Sequence, residues 1–341
     1  MEHVEVLIVG AGVAGLACAR ALADAGARPV VLERARGVGG RCATRRVDGL
    51  PVDHGLAFLH GGDPEFLAAL DAVASPRCEG WPARVHGSGA PCQPAAFGWD
   101  QRRLAFEDGV SAFPKSLARA LDVRLGQDVV AATVVDGAIR VTVGSGETLA
   151  CRALVLALAL EQARPLFAGL GDDGREVTAL QRLLATLATV PCLTVLAGYP
   201  RRAGEPAWDM AYPEDSAVLQ LLSHDSAKRS RPAQTALVLQ ARPAWSRRHV
   251  GGHPHAWAAE MLAEAGRLLG PWAAAPDWTQ AHVWRHARLE PGNELAAPVL
   301  VRLAGGAALG LAGELFHPGG GVQAAFASGR RLARRLTADG G

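Results

Sequence analysis

Three glycines spaced Gly10-x-Gly12-x-x-Gly15 can cradle a phosphate, and the residues around them are those that such a cradle needs. Val4 to Val9 predicts a buried strand before them, and Leu16 to Ala25 carries apolar residues at helical spacing after them. Gly10 permits a tight turn, Gly12 lets backbone approach a pyrophosphate, and Gly15 lets helix and strand pack closely. The helix start, Val13 and Ala14 included, offers unpaired N–H groups to the anion. Gly26 closes the helix, and Pro29 to Leu32 reads as a second buried strand that delivers Glu33 at its end. Glu33 would accept hydrogen bonds from a ribose diol, and its charge disfavours a 2′-phosphate. The pattern predicts a βαβ unit at the opening of a doubly wound sheet that binds a dinucleotide.

A second cluster follows directly: Arg34-Ala-Arg36-Gly37-Val-Gly39-Gly40-Arg41, then Thr44-Arg45-Arg46. Its glycines supply backbone N–H groups, and an Arg fork can pair bidentately with pyrophosphate oxygens. A plain NAD-dependent dehydrogenase has no need of this second clamp. Another literal match, Gly169-x-Gly171-x-x-Gly174, contains Asp172 and Asp173, which repel phosphate, and reads as a surface loop. One dinucleotide site therefore remains, which argues against a reductase with two nucleotide domains.

The elements that must position these residues come from a chain of 341 residues, 49% hydrophobic and 20% charged, enough for one large core or two adjoining ones. Leu121 to Ala131 and Ala138 to Val143 alternate like antiparallel strands around Asp136-Gly137, and Ala153 to Leu160 reads as a buried strand. Helices are expected at Val177 to Ala188, Ala256 to Leu269 and Val322 to Leu336, with a strand at Ala307 to Ala312 and a tight turn at Gly319 to Gly321.

Lys+Arg is 35 against Asp+Glu 33, a net charge of +2 with no long block of like charge, so a nucleic-acid face is not expected. Lysine is confined to Lys115 and Lys228 in an Arg-rich chain, which fits a GC-rich coding bias. The cysteines, Cys18, Cys42, Cys78, Cys92, Cys151 and Cys192, show neither a CxxC pair nor zinc-ligand spacing, so no metal centre or disulfide scaffold is indicated and a reducing cytoplasm is expected. Apolar runs fall short of the roughly 18 residues of a membrane span, and no secretion signal is read at the start.

At this point the residues carry a likeness: the chain resembles FAD-dependent oxidoreductases of the amine oxidase group, and within it the renalase-like branch. The likeness runs through Asp53-His-Gly55-Leu56-Ala57-Phe58-Leu59-His60, Gly109-Val-Ser-Ala-Phe-Pro114-Lys115, Ser226-Ala-Lys228, Ala241-Arg-Pro-Ala-Trp245 and Trp284-Arg285-His286. It closes on Gly313-Glu314 and Gly321-Val322-Gln323-Ala-Ala-Phe-Ala-Ser-Gly329. The resemblance implies non-covalent FAD held by Gly10, Gly12, Val13, Ala14, Gly15, Glu33, Arg34, Gly40, Arg41, Gly55, Leu56, Val129, Gly313, Glu314, Gly321 and Val322. Val129 would flank the adenine, Glu314 would accept from a hydroxyl, and the helix after Gly321 would point at the flavin's pyrimidine ring, where its partial positive charge favours the reduced state.

It also implies a two-domain fold: an α/β FAD-binding, Rossmann-like unit over 1–75, 110–165 and 285–341, and an inserted α+β substrate domain over 76–109 and 166–284. The active site would lie in the cleft between them. The family's Asp stands here as Glu314, and Leu315-Phe316 leaves no cysteine to tether FAD. Ala57 and Phe58 replace Gln and Tyr, Gln240 replaces a pocket His, and His286 replaces a Tyr, so the substrate is expected to differ. His60, His317, Trp284 and Gln240 are the pocket candidates; His249, His253 and His255 read as a helix-cap region rather than a metal site, and Trp245 as a core anchor. The expected activity is hydride transfer from a small donor, an amine or dihydronicotinamide, to flavin N5 with O2 as acceptor; the alternative is a flavin with a structural, isomerase-type or pathway-specific role.

Overall fold

The computed structural model describes residues 1–87, 101–167, 169–170, 175–201, 206–290 and 292–338; Cys92 and most of the second glycine run, Gly171 to Gly174, lie outside them. The chain opens with strand β1 (Glu2–Val9), helix α1 (Val13–Asp24) and β2 (Val30–Glu33), then the hairpin β3 (Thr44–Val47) and β4 (Leu50–Asp53). Next come β5 (Leu59–Gly61), α2 (Pro64–Asp71), β6 (Arg77–Glu79), β7 (Val85–His86), β8 (Arg102–Phe106), α3 (Ala112–Ala118) and β9 (Asp122–Leu125). A meander β10 (Val129–Val135), β11 (Ala138–Val143) and β12 (Thr148–Leu156) leads to α4 (Leu160–Phe167) and α5 (Arg175–Ala185). The second half carries β13 (Thr189–Pro200), β14 (Met210–Ala211), β15 (Leu219–His224), β16 (Gln234–Ala241), α6 (Pro243–His249), α7 (Pro254–Leu269) and β17 (Trp278–Leu289). It ends in β18 (Val299–Arg302), β19 (Ala308–Leu311) and α8 (Gly321–Ala338).

The first sheet runs β10-β11-β12-β1-β2-β9, with β19 pairing the carboxyl half of β12 and β18 pairing β19. β1 is parallel to both β12 and β2, in the register Ile8 to Val155 and Leu7 to Val30. Its apolar run is buried on both faces because helices cover both, as expected for a parallel sheet. α1 and α8 cross closely: a Cβ on Gly329 would stand 2.1 Å from the Ala14 carbonyl oxygen. The β10–β11 hairpin turns on Asp136 and Gly137, both with positive φ, as anticipated from the Asp-Gly pair.

Two strand boundaries differ from the sequence reading. Leu121 to Ala131 is not one strand: β9 pairs β2 at one edge of the sheet and β10 pairs β11 at the other, with Gly126 at φ +71° turning the chain between them. Ala153 to Leu160 begins earlier, at Thr148, and stops at Leu156, because the residues from Leu160 onward already belong to α4.

The second sheet runs β17-β13-β16-β15-β14-β7, antiparallel except between β14 and β7. Its core packs Tyr199, Trp245, Trp257 and Met261. The expected division at 166 and 285 is corrected by packing. Leu166, Phe167, Val177, Leu180 and Leu184 of α4 and α5 share one buried cluster with Leu7, Leu154 and Leu309, so these helices cover the first sheet. β17 stays hydrogen-bonded to β13 through Leu289, past the expected boundary at 285.

A fully buried ion cluster ties the two halves together. Lys228 donates to Asp53 at 2.9 Å and to Asp225, while Arg229 reaches Asp53 at 3.2 Å and Asp225 at 3.0 Å. Asp53 also accepts from the Thr44 hydroxyl at 2.6 Å and from the Val110 N–H at 2.9 Å. Lys228 further lies 4.6 Å from the ring centre of Trp81. Burial opposes charge on Asp53, but Lys228 and Arg229 outweigh it and hold its carboxyl below the usual carboxylate range. Lys228→Met would strand buried negative charge, so the unfolding free energy should fall by about 3–5 kcal/mol. Denaturant titration reads this directly, and an unchanged midpoint would show that the cluster does not hold the halves together.

Candidate active site

A cavity of about 1790 Å³ runs between the first sheet and the edge strand β17 of the second. At one end, Gly10 donates to the Leu32 carbonyl at 2.8 Å with φ +106°, a turn that a side chain would jam against the Ala157 carbonyl. Gly12, the residue before α1, is extended, and a Cβ there would meet nothing within 4 Å, so its face opens into the cavity beside unpaired helix N–H groups. Gly15 does not line the cavity; its Cβ would lie 2.0 Å from the Gly10 carbonyl oxygen, and it serves packing. Glu33 ends β2 with one carboxylate oxygen accepting from Ala11 N–H at 2.7 Å and the other from Ala35 N–H at 2.8 Å. Arg34 and Val129 line the same end.

Midway, Arg41 forms an ion pair with Glu314 and donates to the Ala287 carbonyl at 3.0 Å. Gly40, Gly313, Gly321 and Val322 line the wall around them. Gly319, Gly320 and Gly321 all have positive φ, a path glycine alone follows easily, and it brings the start of α8 to the cavity.

At the far end lie Gly55 and Leu56, just past Asp53. A Cβ on Gly55 would stand 2.2 Å from the Arg41 carbonyl oxygen, so the two cavity segments touch there. Trp284 donates to the His54 carbonyl at 2.9 Å, with its ring centre 4.2 Å from that of His282. Gln240 donates to the Gly55 carbonyl at 2.7 Å, and His60 Nδ1 lies 3.0 Å from Gln101 Oε1.

Three of the four pocket candidates, His60, Trp284 and Gln240, thus meet in one cavity. His317 does not: its Nδ1 turns to the Pro318 carbonyl at 2.8 Å and its side chain lies outside the lining. Trp245 is a core residue stacked on His249, while His253 caps α7. Sequence reasoning missed Arg288, Tyr212, Met210, Leu221, His54 and His282, all of which line the cavity. Alternation along β17 from Trp284 could have pointed to Arg288. Among the described residues no group of three His, Cys, Asp or Glu could hold a metal ion, and no helix is long and apolar enough to cross a membrane.

Burial, then the neighbouring His282 and Arg45, pushes His54 down to about 3; burial and Arg45 push His282 down to about 4. Both are neutral when folded, whereas the unfolded chain takes up these protons near the ordinary 6.5. Stability should therefore fall as pH drops from 6.5 towards 4. A His54→Asn, His282→Asn double variant should show a flatter profile of thermal midpoint against pH; parallel profiles would contradict the buried neutral pair.

Residues 8–73 match the NAD(P)-binding Rossmann-like domain, and residues 85–337 match the flavin containing amine oxidoreductase family. Locally, the chain is 45% identical over 56 residues to polyamine oxidase 4 of Oryza sativa, 16% of this chain and 12% of that protein. It is 42% identical over 69 residues to putrescine oxidase of Kocuria rosea, 20% of this chain and 14% of that protein. These alignments span well under two thirds of the relatives' length. The fold aligns with a triple mutant of putrescine oxidase at TM-score 0.73 and 14% identity, covering 99% of both chains. It aligns with cyclohexylamine oxidase from Brevibacterium oxydans at TM-score 0.69 and 17% identity, covering 98% of this chain and 99% of the other. With a glycine-lined cleft between a Rossmann-like sheet and a second sheet, and a family match from 85 to 337, the chain belongs to the flavin containing amine oxidoreductases.

Proposed function

We propose that the cavity binds FAD non-covalently and that the chain oxidises a small organic donor, with dioxygen as the final acceptor. The observation that carries this reading is the cradle itself: an open Gly12 face at a helix start, continuous with Glu33 on one side and with Arg41, Gly55 and Trp284 on the other. Its donor set fits the cofactor. Glu33 would take the adenosine ribose beside Val129, and Gly12, Val13, Ala14, Gly40 and Arg41 would take the pyrophosphate. Gly313 and Glu314 would meet the ribityl side, while Leu56, Trp284 and the start of α8 would meet the ring. Leu315 and Phe316 are both buried and apolar, which favours non-covalent binding. The segments around Gly55, Lys115, Lys228 and Trp284 support the renalase-like branch, and the free thiols of the five described cysteines suit a reducing cytoplasm.

FAD held by these residues would supply a two-electron acceptor for the pair and hydrogen of the donor C–H bond, the second donor proton going to solvent, and dioxygen would take the two electrons and two protons onward as hydrogen peroxide. The chain's own part is binding, orientation and dryness. The start of α8 lines the cavity, and its partial positive charge would favour a reduced flavin ring held beside it. Phe58, Met210 and Leu221 exclude water from the donor end. Tyr212, whose hydroxyl burial pushes up to about 12, stays protonated there.

Anaerobic titration of the purified yellow protein with amines and with dihydronicotinamides tests the reading. One class should bleach the visible flavin band, and admitting air should restore it with peroxide. A band that none of these donors bleaches would favour a structural or pathway-specific flavin instead.

A further inference from the structure

β17 leaves its ladder where it borders the cavity. Trp284 pairs with Cys192 and Arg288 with Val190, so Arg285, His286 and Ala287 face Pro191 alone and bulge from the sheet edge. Proline has no N–H to give to a ladder, which suits it to the place opposite a bulge. All three bulged residues line the cavity. Two contacts hold them there: Arg41 donates to the Ala287 carbonyl at 3.0 Å, and Glu161 of α4 brings Oε2 to 3.2 Å from His286 Nδ1.

The imidazole is aimed by its partners. Glu161 Oε1 accepts from the Thr189 N–H at 2.9 Å and from the Thr189 hydroxyl at 2.7 Å, which leaves the buried Oε2 to His286. The Thr189 hydroxyl, its hydrogen committed to Glu161, lies 3.0 Å from the same Nδ1. Both neighbours of Nδ1 are therefore acceptors, so Nδ1 carries the proton and the lone pair of the neutral ring lies on Nε2. Burial opposes charge on Glu161, but the Thr189 hydroxyl and N–H outweigh it and hold its carboxyl below the usual range. With Nδ1 turned to Glu161 and His286 in the lining, Nε2 is the edge left to meet a ligand.

We propose that His286 is a cofactor-binding residue whose Nε2 accepts a hydrogen bond from a hydroxyl of the ribityl chain, and that Glu161 and Thr189 are the positioning residues that fix its tautomer. This rests on reading the cavity as a flavin site. The place follows from the next residue along the bulge: the Arg41 that holds Ala287 also pairs with Glu314, which stands on the ribityl side of the proposed cofactor path. The chemistry follows from the tautomer. Pyrophosphate oxygens only accept, and they have Gly12, Gly40 and Arg41 to meet, whereas the ribityl chain brings O–H groups that a lone pair complements. An imidazole backed by a carboxylate is also the stronger acceptor, because the carboxylate feeds its basicity.

Equilibrium titration of the flavin-depleted full chain with FAD and with ADP tests this without relying on turnover, since ADP shares the pyrophosphate and adenosine but lacks the ribityl chain. His286→Phe should weaken FAD by about tenfold and leave ADP binding unchanged. His286→Gln, whose amide oxygen can still accept, should recover part of the loss, and with Glu161→Gln it carries the test if His286→Phe does not fold. Glu161→Gln should weaken FAD but not ADP. The double variant Glu161→Gln, His286→Phe should bind FAD no more weakly than His286→Phe alone, because Glu161 acts only through the ring; a carboxylate that merely braced α4 against β13 would add its own loss. Unchanged FAD affinity in His286→Phe, an equal loss of FAD and ADP, or additive losses in the double variant would overturn the proposal. The two readings fail separately: a wild type that binds no FAD overturns the flavin reading and this one with it, whereas a wild type that binds FAD as tightly as its His286→Phe variant overturns this one alone.

Discussion

The buried cluster of Asp53, Asp225, Lys228 and Arg229 is the constraint on which the site depends. It brings two positive and two negative side chains into a region with almost no solvent access, where each is tolerable only while the others stay in place. Asp53 ends β4, and the next residues, His54 to Phe58, line the cavity. Lys228 and Arg229 come from the connection between β15 and β16, which carry Leu221 and Gln240. Arg229 also donates to the carbonyls of Phe106 and Pro51, so four segments converge on this one point. Misplacing it would move both walls of that end of the cavity at once.

From that anchor the cavity reads as two different surfaces facing each other. The wall from the first sheet is mostly backbone, with glycines where a ligand must come close and helix starts where negative charge must be met. The wall from β17 and its neighbours is mostly side chain: Trp284, Arg288 and Gln240 on one side, with Tyr212 and Leu221 beyond. A backbone cradle recognises features common to all dinucleotides, whereas side chains are free to change with the donor. On the proposed reading, this division would account for departures from the family pattern that gather on the side-chain wall, at Phe58, Gln240 and His286, with Glu314 the departure on the other wall.

The cradle was legible in sequence because its chemistry is local. Gly10, Gly12, Gly15 and Glu33 lie within one βαβ unit, and spacing alone fixes their relation. What could not be read was partnership at a distance. Alternation from Leu121 to Ala131 shows extended chain but not which edge of the sheet each half joins. The apolar stripes of α4 and α5 show that something is covered but not which sheet. Arg288 is one arginine among many, and only its place four residues beyond Trp284 on the same strand could have marked it. His317 was expected at the site because the family resemblance puts its segment near the flavin ring, but its Nδ1 faces the Pro318 carbonyl. The scarcity of lysine reads as coding bias in sequence, and the role of Lys228 becomes visible only with Asp53 and Asp225 beside it.

The most direct test of the account is to measure flavin identity and content per chain, with thermal midpoint, in the wild type and in Gly12→Val. Because Gly12 is extended and a Cβ there meets no protein atom, valine should fold normally while filling the space that the pyrophosphate needs. The account predicts releasable FAD in the wild type and a colourless variant of unchanged stability. FAD retained at wild-type content in Gly12→Val, or a wild-type protein that binds no flavin when FAD is supplied, would contradict it.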